Sequence, residues 1–384
     1  MGFINKYIKG DRVVWLVVLL LAILSVLAVY SSIVTLAYKY QGGDTLYYLF
    51  KHGVILVVGF ILMIIAHNLN YKYYSRISQI AIVLSIPLLA LTLMTGANIN
   101  DASRWLVIPV INQTFQTSDL AKLALIMYLA RILYKKQADL NDFKSVFMYL
   151  MLPVLLVCGF IFPANFSTAA MLFTTSMIIM FIGRVPLKYI LSLIGMIFGA
   201  LLLALTIASA KPDLLPRLAT WEKRIETFTQ GGDKDANYQA DQAKIAIATG
   251  GVVGKGPGGS TQRNFLPHPY SDFIYAIIIE EYGLLGGIIV IVLYLILFYR
   301  GVKIAQRAEK SFGTFLAVGL SFSLVFQAMI NMAVAVNLFP VTGQPLPLVS
   351  MGGTSIWFTC LAIGIILSVS RKSEPSNKNI NVAA

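Results

Sequence analysis

The chain has 384 residues, 58% of them apolar and only 12% charged, whereas a soluble domain carries about 25% charged residues. No soluble fold can hide that much apolar side chain, so lipid is the solvent for most of it. The net charge of +13 comes from 30 Lys and Arg against 17 Asp and Glu. It reads as basic residues retained in cytoplasmic loops, and no nucleic-acid partner is expected.

Taken in chain order, Lys6, Lys9 and Arg12 precede an apolar run over 13–34. The run is too long for a signal-peptide core and lacks an A-x-A site, so it predicts an uncleaved first helix. About 20 apolar residues cross ~30 Å of hydrocarbon. Further spans are expected over 47–66, 77–95, 117–134, 145–162, 166–183, 188–209, 272–299, 312–336 and 352–370. The fold class is therefore an all-α polytopic membrane protein with about ten transmembrane helices. The fourth span opens with Asp119 and Lys122, and Pro87 and Pro153 fall inside spans, where membranes tolerate them. No strand pattern and no internal repeat is apparent.

Basic residues cluster in alternate connections, at 6–12, 72–76, 131–144, 184–188, 300–310 and 371–378. The opposite short loops hold little beyond Lys39 and Arg104. Both termini are then cytoplasmic, and 210–271 forms a long outer loop that is exempt from the charge rule. Within that loop Leu218, Trp221, Ile225 and Phe228 recur at helical spacing, which predicts an amphipathic surface helix. A second helix is expected over 237–249, before a glycine-rich turn, and the polar tail 372–384 is expected to be disordered.

Four places draw chemical attention, because charge near a span costs about 2.5–3.5 kcal/mol at the bilayer centre. The segment 250–263, G-G-V-V-G-K-G-P-G-G-S-T-Q-R, lets backbone approach closely and carries Lys255 and Arg263. It is either a phosphate-holding loop or a flexible turn before the eighth helix, and it is not a Walker A. Asp272 opens that helix as either a plain N-cap or a general base facing an apolar region. Glu280 and Glu281 lie about 12–14 Å deeper, too far to form a dyad with it. Asp119 and Lys122, three apart on one helix face, are either an internal ion pair or part of a site, with Arg104 on the same outer side. Gln327 and Asn331 share a face at i, i+4 and suit interhelical hydrogen bonding. His52, His67 and His268 are scattered, and Cys158 and Cys360 offer neither a disulfide framework nor a metal site.

The blocks 238–283 and 337–355, with A-S-R-W at 102–105 and Q-T-S-D-L-A-K at 116–122, resemble the SEDS family (shape, elongation, division and sporulation). The resemblance implies a ten-helix peptidoglycan glycosyltransferase of the bacterial cytoplasmic membrane. Such an enzyme polymerises the lipid-linked precursor lipid II outside the membrane, beside a class B penicillin-binding protein, a single-pass transpeptidase, and other divisome or elongasome proteins. The family's essential aspartate falls on Asp272. Substrate contacts are expected from Arg104, Asp119, Lys122, Lys255, Ser260, Gln262, Arg263, Glu281 and Ser350. Three departures stand out: Thr117-Ser118-Asp119 where the family usually has Pro-Ser-Glu; Phe162-Pro163-Ala164-Asn165-Phe166-Ser167-Thr168 where Q-P-D-F-G-T is usual, its acid either replaced by Asn165 or lost; and Met351-Gly352-Gly353-Thr354 where Tyr-Gly-Gly-Ser is usual. No metal cage is visible, although Mg or Mn bridging the pyrophosphate would suit the chemistry. A compact outer loop suits the division branch, whereas Pro340-Val341-Thr342-Gly343 suits the elongation branch. A lipid II flippase and a scaffold for the transpeptidase are the competing functions.

Overall fold

The computed structural model describes residues 9–95, 97–99, 102–108, 113–210 and 234–373. The expected amphipathic helix at 218–228 and the tail beyond residue 373 lie outside the described residues. Helix α1 (Arg12–Ser32) starts where Asp11 accepts from the amides of Val13 and Val14, a side-chain cap that satisfies donors the helix leaves open. A short α2 (Val34–Gln41) leads to α3 (Thr45–Asn68) and α4 (Tyr71–Thr95), the latter spanning Pro87. After α5 (Thr117–Lys135) comes α6 (Phe143–Ile161), which carries a π turn over Phe147–Met151 just ahead of Pro153. Then follow α7 (Phe166–Ile182), α8 (Leu187–Ala210), α9 (Lys234–Gly250), α10 (Ile274–Gln306), α11 (Ser311–Ala335) and α12 (Thr354–Ser373).

Among the described residues, α1, α3, α4, α6, α10, α11 and α12 are long and apolar enough to cross a membrane. Their outer faces carry the Leu, Ile and Val side chains that lipid would solvate, such as Leu16, Ile61 and Ile80. The other expected spans coincide with α5, α7 and α8. Helix α5 is the most polar of the three for a physical reason. It lies inside the bundle against α4, α11 and α7, with Asp119, Leu125 and Leu129 all buried. A helix surrounded by protein need not be apolar all round.

Strands do occur, contrary to the reading of the sequence. Strands β1 (Ala97–Ile99), β2 (Ala102–Ile108) and β3 (Gln113–Gln116) form an antiparallel meander between α4 and α5, pairing Trp105 with Gln116 and Leu106 with Phe115. The run Trp105-Leu106-Val107-Ile108 is too short and too uniformly apolar to show a period of two.

Two further elements depart from a simple bundle. Helix α10 is broken at Gly283, whose φ of 68° and ψ of −174° are open essentially to glycine alone. Residues 337–353, between α11 and α12, form no helix or strand, yet Gln344, Leu346, Val349 and Ser350 are buried. Non-helical backbone at such depth survives only where protein satisfies its polar groups.

Candidate active site

The segment 337–353 is held from several sides. Gln327 of α11 donates its amide to the Pro345 carbonyl at 2.9 Å. Asn331, one turn on, donates to the Gln344 carbonyl at 2.7 Å and to the Asp272 carbonyl at 2.9 Å. Ser25 of α1 donates to the Val349 carbonyl at 2.8 Å, and the Tyr294 hydroxyl of α10 donates to the Pro347 carbonyl. The Gln344 amide donates in turn to the Thr168 hydroxyl at 2.8 Å. Ser350 accepts from the Leu346 amide and donates to the Ser271 carbonyl at 2.6 Å.

Asp272 lies where these contacts converge. Its carboxylate accepts from the Ser271 hydroxyl at 2.8 Å, and its other oxygen lies 3.6 Å from where a Cβ on Gly343 would stand. The residue is partly exposed, unlike the buried Phe273 and Ile274 that follow it. Helix α10 begins two residues later than expected, so the cap position falls on Phe273, whose side chain cannot accept. The main chain at Asp272 is thus fixed by Asn331, and that of Ser271 by Ser350, while the carboxylate stands outside the helix.

The glycine-rich loop reaches the broken stretch of α10. The amides of Lys255 and Gly256 donate to the carbonyls of Glu280 and Glu281 at 2.9 Å, and Leu284 donates back to the Gly251 carbonyl at 2.9 Å. A Cβ on Gly250 would come within 2.2 Å of the Ile279 carbonyl, and one on Gly254 within 2.3 Å of that of Glu281. These glycines let two backbones touch. The Lys255 ammonium pairs with wholly buried Glu280 at 2.5 Å, and Glu280 also accepts from the Ser260 hydroxyl at 2.5 Å, from the Thr261 hydroxyl and amide, and from the Gln262 amide. Glu281, also buried, accepts from the hydroxyl of Ser31, which in turn accepts from Arg263 at 3.0 Å.

Asp119, only 3% exposed, pairs with Lys122 at 2.7 Å, and Lys122 also donates to the Gln327 side-chain oxygen at 3.3 Å. The pair lines a narrow cleft with Ser323, Ser355 and Thr359. Asn165 caps α7, accepting from the Thr168 amide at 3.2 Å, so Thr168 alone stands between it and Gln344. The Arg104 side chain lies outside the described residues. Among the described residues no three His, Cys, Asp or Glu side chains gather as a metal-binding group. The geometry therefore joins Asp272, Ser350, Asn331, Gln327, Lys122 and Asp119, and gathers Lys255, Ser260, Gln262, Arg263 and Glu281 around the α10 break. Gln344 and Thr168 carry no signal of their own in the sequence; only the i, i+4 pair Gln327 and Asn331, of which Asn331 reaches the Gln344 carbonyl, points in their direction.

A helical integral membrane protein with a partly buried irregular segment, a broken helix and a partly exposed acid between them is the class these features define. The chain belongs to the FtsW/RodA/SpoVE family of cell cycle proteins, whose profile matches residues 11–375. It is 32% identical over 372 residues to a probable peptidoglycan glycosyltransferase FtsW of Geobacter metallireducens, covering 95% of this chain and 96% of that one. It is 31% identical to the stage V sporulation protein E of Bacillus subtilis, over 96% of this chain and 99% of the other. The fold matches a chain of a solved peptidoglycan synthase complex that coordinates polymerization and crosslinking, with a TM-score of 0.74 at 25% identity over 96% of this chain and 99% of that chain. The crystal structure of Thermus thermophilus rod shape determining protein RodA shares the fold, with a TM-score of 0.67 at 22% identity over 97% of this chain and 100% of that chain.

Proposed function

We propose that the chain is a peptidoglycan glycosyltransferase that polymerises lipid II into glycan strands at the outer face of the cytoplasmic membrane, with Asp272 as general base. Asp272 takes the proton of the acceptor sugar hydroxyl, the oxygen attacks the donor's anomeric carbon, and undecaprenyl pyrophosphate leaves with the bonding pair. The leaving group brings its own phosphates, so the protein chiefly supplies a base, cationic stabilisation and orientation. A divalent cation carried in with the substrate would offset the charge that develops on the leaving pyrophosphate.

The observation that carries this reading is the state of Asp272: a partly exposed carboxylate, outside the helix it precedes, on main chain pinned by Asn331 and by Ser350 through Ser271. A base must be held within hydrogen-bond reach of its proton while its carboxylate stays accessible. The partner is expected to be a single-pass class B transpeptidase, and the likeness to a peptidoglycan synthase complex supports a partner of that kind. Counting α5, α7 and α8 as crossings gives ten, an even number that returns both termini to the cytoplasm, in keeping with the basic loops.

The test is polymerisation of purified lipid II by purified full-length protein with no other polymerase present. Asp272→Asn keeps the shape and removes the base, so strand synthesis should fall 10²–10⁴-fold, the usual contribution of positioned proton transfer. Normal synthesis by a folded Asp272→Asn protein would overturn the assignment. The break at Gly283 favours one second reading, a lipid II flippase, since transporters place substrate at broken helices. Vesicles that translocate labelled lipid II without making strands would establish it.

A further inference from the structure

We propose that Gln327 and Asn331 are positioning residues that join the Asp119–Lys122 ion pair to the segment 344–350 and, through it, to the main chain at Asp272. The inference rests on the reading of Asp272 as the base and adds how the base is aimed.

The argument starts from what each group can donate. An ammonium has three donors and no acceptor, so Lys122 must face the oxygen of any side-chain amide beside it. It meets Gln327 through Oε1 at 3.3 Å while Asp119 anchors it at 2.7 Å. That contact fixes which way the Gln327 amide points. Its nitrogen is left to donate to the Pro345 carbonyl at 2.9 Å. Asn331 lies one turn further along α11 and uses both amide hydrogens: one on the Gln344 carbonyl, next to Pro345, and one on the Asp272 carbonyl.

The result is a continuous line of contacts from a buried ion pair to the residue that bears the base. Every link needs a donor at a set place. Gln344 strengthens the line by reaching Thr168, and Ser350 closes it by holding Ser271. Since one ångström of misplacement in a reacting group can cost about a hundredfold in rate, a loosened line should lower turnover more than substrate binding.

The discriminating variant is Gln327→Glu. It keeps the size and strengthens the contact to Lys122, but it cannot donate to Pro345 when ionised. If Gln327 served only the ion pair, this change would be neutral or favourable. The positioning role predicts instead at least a tenfold fall in maximal polymerisation rate, with KM for lipid II within about twofold. Amide hydrogen exchange across 344–351 should rise in the same protein. Wild-type rate and exchange in Gln327→Glu would overturn the proposal, and so would raised exchange with an unchanged rate.

A second pair guards against a misfolded variant. Asp119→Asn with Lys122→Gln removes both charges yet retains a donor toward Gln327, and should leave exchange at 344–351 near wild type. Asp119→Asn with Lys122→Met removes the donor and should raise exchange there. Equal exchange in the two pairs would sink the proposal. Asp272→Asn is assayed alongside: if it stays active while Gln327→Glu is slow and loosened, the base assignment fails and the positioning line stands.

Discussion

Gly283 faces the carbonyl oxygen of Val252 so closely that a Cβ on the glycine would come within 2.1 Å of it. The contact seats the glycine-rich loop in the break of α10, in a backbone conformation that a side chain would also forbid. Gly251, in the same loop with φ of 58°, has nothing within 4 Å of such a Cβ. Gly283→Ala should therefore abolish accumulation of folded protein, a cost above about 4 kcal/mol. Gly251→Ala should cost only about 1–2 kcal/mol, the strain of a left-handed residue. The yield of folded, monodisperse protein in detergent compares the two, and equal yields would refute this account of the loop.

The Lys255–Glu280 pair makes a second prediction. Glu280 is fully buried, so Lys255→Ala leaves a carboxylate facing only neutral donors, at a cost of about 1.5–3 kcal/mol for one charged hydrogen bond. Adding Glu280→Gln to Lys255→Ala should restore most of that stability. If polymerisation returns with stability, Lys255 serves the fold; if stability returns and activity does not, Lys255 also meets the pyrophosphate.

Asn165 gives a third. As the cap of α7 it accepts from the Thr168 amide, and Asp and Asn cap equally well. Asn165→Asp should unfold within a few tenths of a kcal/mol of wild type, whereas Asn165→Ala should lose about 1 kcal/mol. A calorimetric melt of the three proteins decides it; a marked loss in Asn165→Asp would mean that charge, not capping, governs the site.

The orientation can be tested directly. Asp241 on α9 and Glu309 between α10 and α11 are both exposed, and the two native cysteines are buried. Single cysteines at these two positions should react with an impermeant thiol reagent from opposite sides of the membrane. Labelling from one side alone would reject the arrangement with ten crossings.

The helical architecture was legible because twenty-residue apolar runs have few alternatives, and Asp272 because it stands at the mouth of one. What stayed hidden was tertiary in origin. The break at Gly283 reads as an ordinary glycine until the loop carbonyl of Val252 is seen against it. The six glycines after residue 249 suit a ligand or a second backbone equally, and only the amide contacts of Lys255 and Gly256 to α10 choose the backbone. Segment 337–353 carries no periodicity, since its order comes from side chains that three helices donate to its carbonyls, Ser25 of α1, Tyr294 of α10 and Gln327 of α11, and from its own Ser350 reaching the Ser271 carbonyl. The meander shows no pattern of its own because the four-residue apolar run Trp105–Ile108 fits either regular structure.

The packing of α12 along α3 has a consequence for biosynthesis. Gly364 lies under the Met63 carbonyl and Gly59 under the Cys360 sulfur, so each helix is shaped to the other. Yet roughly 300 residues separate their ends in the chain, and at 5–20 residues per second the ribosome needs about 15–60 s to deliver the second after the first. Throughout that interval the face of α3 made for α12 must be covered by something else, whether lipid or the insertion machinery. When α12 emerges it displaces that cover and docks on α3.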